Sequence, residues 1–131
     1  MSADVANLRE QLIVLNDFKQ NTMEVTSDTQ IQIQSKEDLN ILRSKIMNAL
    51  MQWHSPWNLI FDGTAINFSE GVQIEPILKV LKGFHLESVV GYGPKMAKDL
   101  PFSTFRSRHR AMTEIQKTTE ASGNQAHCQN K

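Results

Sequence analysis

The chain has a single cysteine, Cys128, in 131 residues. One thiol cannot close a disulfide within the chain, so no disulfide framework holds this fold and a reducing, cytoplasmic setting is expected. An excess of either charge is missing too: 14 basic and 14 acidic side chains give a formal net charge of zero. Nucleic acids and anionic membranes are bound through clustered positive charge, so neither is expected as a partner. No apolar run approaches the roughly 18 residues of a membrane span, which argues against direct membrane insertion. The opening MSADVANLRE has no basic stretch followed by an apolar core and does not read as a secretory signal. What remains is a chain with 40% apolar residues, long enough for one domain with a real core.

Three parts are expected: an N-terminal amphipathic helix over residues 1–20, an α/β domain over 21–117, and a disordered tail over 118–131. In the first, Val5, Leu8, Leu12 and Leu15 recur at spacings of 3, 4 and 3 between Ser2 and Lys19, an apolar helical stripe. The stripe either packs on its own domain or serves as a dimerisation or docking helix. The tail, from Thr118, has no apolar periodicity.

Within the domain, Met23 and Val25, then Ile31 and Ile33, alternate with polar residues around a Ser-Asp turn, which predicts a β-hairpin. Ser35 opens SKED, a capping box with Asp38 in the acceptor position. The helix that follows carries Leu39, Leu42, Ile46, Ala49, Leu50 and Trp53 on one face and must stop before Pro56. Asn58 to Phe61 reads as a buried strand. A second helix is expected from about Glu70 to Lys82, with Val72, Ile74, Ile77, Leu78 and Leu81 inward and Gly83 ending it. Pro76 either kinks that helix or begins its main part, leaving Ser69 in a separate short piece. Then come a strand at Ser88 to Tyr92, a short helix at Pro94 to Leu100, a strand at Phe102 to Phe105 and a last helix from Arg108 to Lys117. Helices alternating with buried strands give an α/β fold with a mixed, mainly parallel sheet.

Enzyme signatures are few. Walker-type loops, GxGxxG and CxxC are absent, and Cys128 lies in a tail that could not hold a nucleophile in place. His54, His85, His109 and His127 are not paired at metal-ligand spacing, so no metal and no cofactor are expected. Asp62, at a strand's C-terminal end, is expected to hydrogen-bond the loop that ends at Ser69. Ser69 itself has a plain reading as a helix cap, with Glu70 favourable in the first turn; the alternative is an exposed helix start that welcomes an anion or a phosphoryl group. RSRHR, Arg106 to Arg110, puts arginines where the helix dipole disfavours them: they are solvated, or an acidic partner lies nearby. WHSPW, Trp53 to Trp57, either closes a core edge or exposes anchor rings.

The strand NLIFD, the loop GTAINF, the Ser-Glu-Gly that follows and the strand VVGY resemble the STAS domains, the family of bacterial anti-sigma-factor antagonists. The early hairpin and FSTFRSRHRAMTEI also suit that family, and the resemblance covers about Met23 to Ile115. It implies a single STAS-like domain. Family members carry Asp-Ser-Ser-Gly at this point, and a partner kinase phosphorylates the second serine. Aligned on Gly71, Glu70 stands at that serine, Ser69 at the one before it and Phe68 at the aspartate. Glu70 cannot be phosphorylated and carries a fixed charge where the family toggles one; Ser69 is the possible acceptor.

The resemblance therefore implies a non-catalytic module that binds a protein partner through Phe68, Ser69, Glu70, Gly71, Val72 and Gln73. That partner would be kinase-like, anti-sigma-like or a transporter component, with homodimerisation possible through the N-terminal helix. Two alternatives stand beside it. One is a domain that binds a small hydrophobic, lipid-like ligand in a pocket lined by residues such as Met47, Leu50 and Phe84. The other is an accessory subunit of a membrane transporter complex.

Overall fold

The computed structural model describes residues 8–53, 56–93 and 100–117. Its elements run β1 (Leu12–Asp17), β2 (Thr22–Ser27), β3 (Ile31–Ile33), α1 (Lys36–Leu50), β4 (Trp57–Asp62), β5 (Ile66–Phe68), α2 (Glu75–Lys82), β6 (Leu86–Tyr92), β7 (Ser103–Phe105) and α3, helical over residues 108–117. Five strands form one sheet in the order β1-β2-β4-β6-β7. Only β1 runs antiparallel to its neighbour; β2, β4, β6 and β7 are parallel. The fold is thus α/β with a mixed, mainly parallel sheet packed by helices.

Alternation along β4 decides the two faces. Trp57, Leu59 and Phe61 point to one side and share a core with Ile41, Leu42 and Ile46 of α1 and Ile77, Leu78 and Leu81 of α2. Ile60 points to the other and packs with Val90, Tyr92 and the Ala111, Met112 and Ile115 side of α3. Because both faces are covered, WNLIF is apolar almost throughout, as a central parallel strand must be. Each large apolar side chain so buried stabilises by about 1.5–3 kcal/mol before the entropy of ordering is set against it.

Two expectations are corrected. The stripe Leu8, Leu12, Leu15 does not lie on one helix. Residues 8–11 are helical, but Leu12–Asp17 is a strand paired with β2 over six residues. LIVL is rich in residues that suit a pleated strand, and pairing with β2 outweighs a helical period only two heptads long. Leu8 and Leu12 are buried in the core, whereas Leu15 points outward; Val5 lies outside the described residues. The second correction follows from the first. Since β1 takes the antiparallel place beside β2, Ile31–Ile33 forms no hairpin with Met23 and Val25. It pairs instead with β5 in a separate two-stranded parallel sheet, Ile31 opposite Ile66 and Ile33 opposite Phe68.

The SKED cap forms. Ser35 Oγ accepts from the Asp38 N–H at 3.2 Å, and the Asp38 carboxylate accepts from the Gln34 N–H at 2.9 Å. The expected helix at Pro94 to Leu100 and the tail over 118–131 fall outside the described residues, apart from Leu100.

Candidate functional site

The small sheet carries the chain to the stretch singled out by sequence. After β5, the Ser69 N–H donates to the Ile33 carbonyl at 2.9 Å, and the Ser69 carbonyl accepts from the Val72 N–H at 3.2 Å. Ser69-Glu70-Gly71 is therefore a turn and not a helix start. Gly71 sits at φ +84°, a conformation that L side chains rarely adopt. Helix α2 begins only at Glu75, with Pro76 in its first turn and no side-chain cap. The proline lacks an N–H that would be orphaned there, which is why the helix starts here rather than at Glu70. Ser69 does not cap a helix. Its hydroxyl accepts from Gln32 Nε2 at 2.8 Å.

Beyond the turn, the chain and α2 form one wall of an open groove of about 680 Å³, and α1 forms the other. Glu70, Val72, Gln73, Pro76 and Val80 face Ser35, Lys36, Leu39 and Arg43 across it. The floor is apolar: Leu39 and Val72 are partly buried against the core, and Val80 is 40% exposed. Among the described residues, Lys36, Arg43 and Glu70 form no ion pair.

Of the residues picked from sequence, Glu70, Gly71, Val72 and Gln73 line this groove. Phe68 does not. It is 5% exposed and meets Phe61 edge-on with ring centroids 5.5 Å apart, so it is a core residue and not part of a binding edge. Alternation in INF puts Ile66 and Phe68 inward and Asn67 outward, a strand pattern too short to read with the loop around it. Met47 and Leu50 belong to the core and its margin, Phe84 is exposed, and none of them lines the groove.

A second polar constellation lies on the α3 side of the sheet. Asp62 accepts from Thr26 Oγ1 at 2.6 Å and from the Thr64 N–H at 2.9 Å, which ties the loop after β4 as expected. Burial alone would raise its carboxyl, but the hydrogen bonds from Thr26 and Thr64 outweigh it and hold the pKa below its ordinary value. Beside it, Glu24 accepts from the Tyr92 hydroxyl at 2.7 Å and forms an ion pair with Arg108 at 3.0 Å. Burial, then the Glu24 hydrogen bond and the charges of Glu24 and Asp62, push the Tyr92 phenol far above its usual range. The acidic partner allowed for RSRHR is thus Glu24 of the same chain. Its sequence separation of 84 residues left no local signal for it.

Every polar atom of this second cluster that is described above meets another within it, which suits a fastening. The groove, by contrast, presents over its apolar floor charges that form no ion pair among the described residues. Trp57 is fully buried and donates from Nε1 to the Phe84 carbonyl at 2.8 Å, while Trp53 packs at the core margin; the two tryptophans close that end of the core. No family model, curated protein or solved structure matches this chain.

Proposed function

We propose that this chain is a non-catalytic, STAS-like protein-interaction module of bacterial signalling or regulation, and that it binds its partner in the groove between α1 and the Glu70–Val80 wall. One observation carries the reading: four of the residues that the family resemblance assigns to partner contact line one open groove whose Lys36, Arg43 and Glu70 form no ion pair among the described residues. The mixed, mainly parallel fold is of the class the resemblance implies. The partner is a protein, kinase-like, anti-sigma-like or a transporter component, and the mechanism is occupancy, with one partner excluding or recruiting another. Glu70, exposed at the groove's rim, supplies a constant negative charge, so the module works without a phosphoswitch. The setting is cytoplasmic; among the described residues no helix is long and apolar enough to cross a membrane.

The test is affinity capture from host lysate with the wild-type chain, Glu70→Lys, Val72→Asp, Ser69→Ala and, as a control away from the groove, Glu87→Lys. The reading expects one partner recovered by wild type, Ser69→Ala and Glu87→Lys and lost with Glu70→Lys and Val72→Asp. Equal recovery by all five chains would remove the groove from the function.

A further inference from the structure

Both walls of the groove carry the same residue spacing. On α1, Lys36, Leu39, Asn40 and Arg43 line it at intervals of 3, 1 and 3. Opposite, Gln73, Pro76, Ile77 and Val80 repeat those intervals just before α2 and along it. Residues so spaced share one face of a helix over two turns, about 10 Å at 1.5 Å per residue. No strand lines the groove: β3 stops at Ile33 and β5 at Phe68, short of the first lining residues. The backbone groups of α1 and α2 bond within their own helices, so an extended chain laid between them finds no ladder to join. A helical occupant brings its backbone hydrogen bonds with it and needs only side-chain contacts. A lipid-like molecule, by contrast, is held where most of its surface is enclosed. This groove is open and carries charge on both walls.

The charges have an order along the groove. Ile33 stands opposite Phe68 in the small sheet. Lys36, three residues after Ile33, and Glu70, two after Phe68, therefore lie at the same end on opposite walls. Arg43 is two turns further along α1. Glu70 is the only acidic residue of the lining, and it stands at the end away from Arg43. Neither Lys36 nor Arg43 forms an ion pair among the described residues. The α1 wall is thus basic at both ends with Leu39 between, while Val72 and Val80 offer apolar surface on the other wall.

We propose that the occupant is an amphipathic, acid-flanked helix of another protein. Its apolar side chains, at i, i+3 or i+4 and i+7, settle on Leu39, Val72 and Val80. Two acidic side chains seven residues apart on the flank facing α1 meet Lys36 and Arg43, whose spacing they match. This names the partner chemistry of the site in the preceding section and rests on that reading. A second copy of this chain does not supply such a helix, because no described helix has two acidic residues seven apart. Residues 118–131 do not supply it either: they hold one acidic residue, Glu120, and no apolar stripe.

Selection on the full wild-type chain from displayed helices of about four turns, randomised along one face, tests this. Sequencing should return apolar residues at the central spacing and Asp or Glu at two flanking positions seven apart. The most enriched helix, made as a labelled peptide, is then read by fluorescence anisotropy. Lys36→Glu/Arg43→Glu should weaken it about tenfold, and changing the peptide's two acidic residues to lysine should restore binding to that variant. Both positions are exposed, so circular dichroism and thermal midpoint should stay near wild type. Lys117→Glu, on α3, should leave binding unchanged. Enriched helices without the acidic pair, an affinity indifferent to the charge reversal, or no binder at all would each overturn the proposal. Affinity capture from lysate separates that failure from failure of the groove itself. A partner lost with Glu70→Lys and Val72→Asp but kept by Lys36→Glu/Arg43→Glu leaves the groove as the site and sinks the acid-flanked helix. Equal recovery by every variant removes both.

Discussion

The Tyr92 hydroxyl donates to Glu24 at 2.7 Å while Arg108 Nε reaches the same carboxylate at 3.1 Å, so one glutamate of β2 holds the end of β6 and the first turn of α3 together. Glu24 is 13% exposed at its side chain and Arg108 51%. A charged acceptor this sheltered makes its hydrogen bonds stronger than the usual surface ion pair, which contributes about 0–1 kcal/mol.

Tyr92 is the chain's only tyrosine, so its titration can be read directly. Burial and the neighbouring carboxylates raise its pKa above the ordinary 10.0. A folded-state pKa above the unfolded one stabilises fully below the unfolded value and loses that contribution as pH rises past it. Tyrosinate absorbance in the near ultraviolet should therefore stay absent above pH ~10 until the fold itself is lost. A midpoint near 10 in the folded chain would contradict the Tyr92–Glu24 bond. Tyr92→Phe should cost about 1.5–3 kcal/mol, the range for a hydrogen bond to a charged group.

Asp62 gives the opposite dependence. Its carboxyl titrates below the ordinary 3.8 because Thr26 and Thr64 donate to the ionised form against the cost of burial. A depressed folded-state pKa stabilises above the unfolded value, and the contribution fades as pH falls through the folded one. Asp62→Asn should thus be less stable than wild type at neutral pH, by about 1–2 kcal/mol. The gap should narrow as pH drops below about 4, a window set by the ordinary carboxyl value. Urea titrations of both chains at neutral and acid pH measure it; a gap that widens in acid would reverse the sign.

How far the fold was legible depended on how local the deciding forces were. The SKED cap, the α1 face and the buried strand NLIF rest on contacts within a few residues or on plain periodicity, and they stand as read. β1 is ambiguous in the sequence because Leu8, Leu12 and Leu15 fit a helix as well as LIVL fits a strand, and only pairing with β2 separates the two. The turn at Ser69 depended on β5 reaching the Ile33 carbonyl, a contact between segments 36 residues apart. Of the groove's lining, Glu70 to Gln73 are residues that the resemblance names, whereas Lys36, Leu39 and Arg43 are not, since nothing local says which wall α1 faces. Glu24, Tyr92 and Arg108 could not be joined at all from one sequence.

Phe68 and Ser69 are neighbours with opposite roles, and substitution separates them. Phe68→Ala removes a buried ring packed on Phe61 and should cost about 3–5 kcal/mol. Ser69→Ala loses one hydrogen bond, to Gln32, near the surface. About 0.5–1.5 kcal/mol is expected for it. Chemical denaturation of the two variants beside wild type gives both values. Similar costs would mean that Phe68 is not the core residue its 5% exposure makes it.

Two glycines at positive φ should respond very differently to alanine. Gly71, at +84°, has nothing within 4 Å of where a Cβ would stand, so Gly71→Ala carries backbone strain alone. That strain is about 1–2 kcal/mol. Gly93, at +124°, would place its Cβ 2.9 Å from the carbonyl carbon of Gly63 and 3.0 Å from the Thr64 nitrogen. Both are backbone atoms, and the site cannot relax by turning a side chain. The same region is pinned on each side: the Gly63 N–H donates to the Tyr92 carbonyl at 2.7 Å, and the Gly93 N–H to the Phe105 carbonyl at 2.8 Å. Moving either chain to make room would pull on β6 and β7 and on the Tyr92–Glu24–Arg108 fastening beside them. Strain and overpacking then add, and Gly93→Ala should cost roughly 3 kcal/mol or more. Thermal melts should place wild type highest, Gly71→Ala a few degrees lower and Gly93→Ala far below both. Equal melting of the two variants would mean that the β4 and β6 ends do not meet at Gly63 and Gly93.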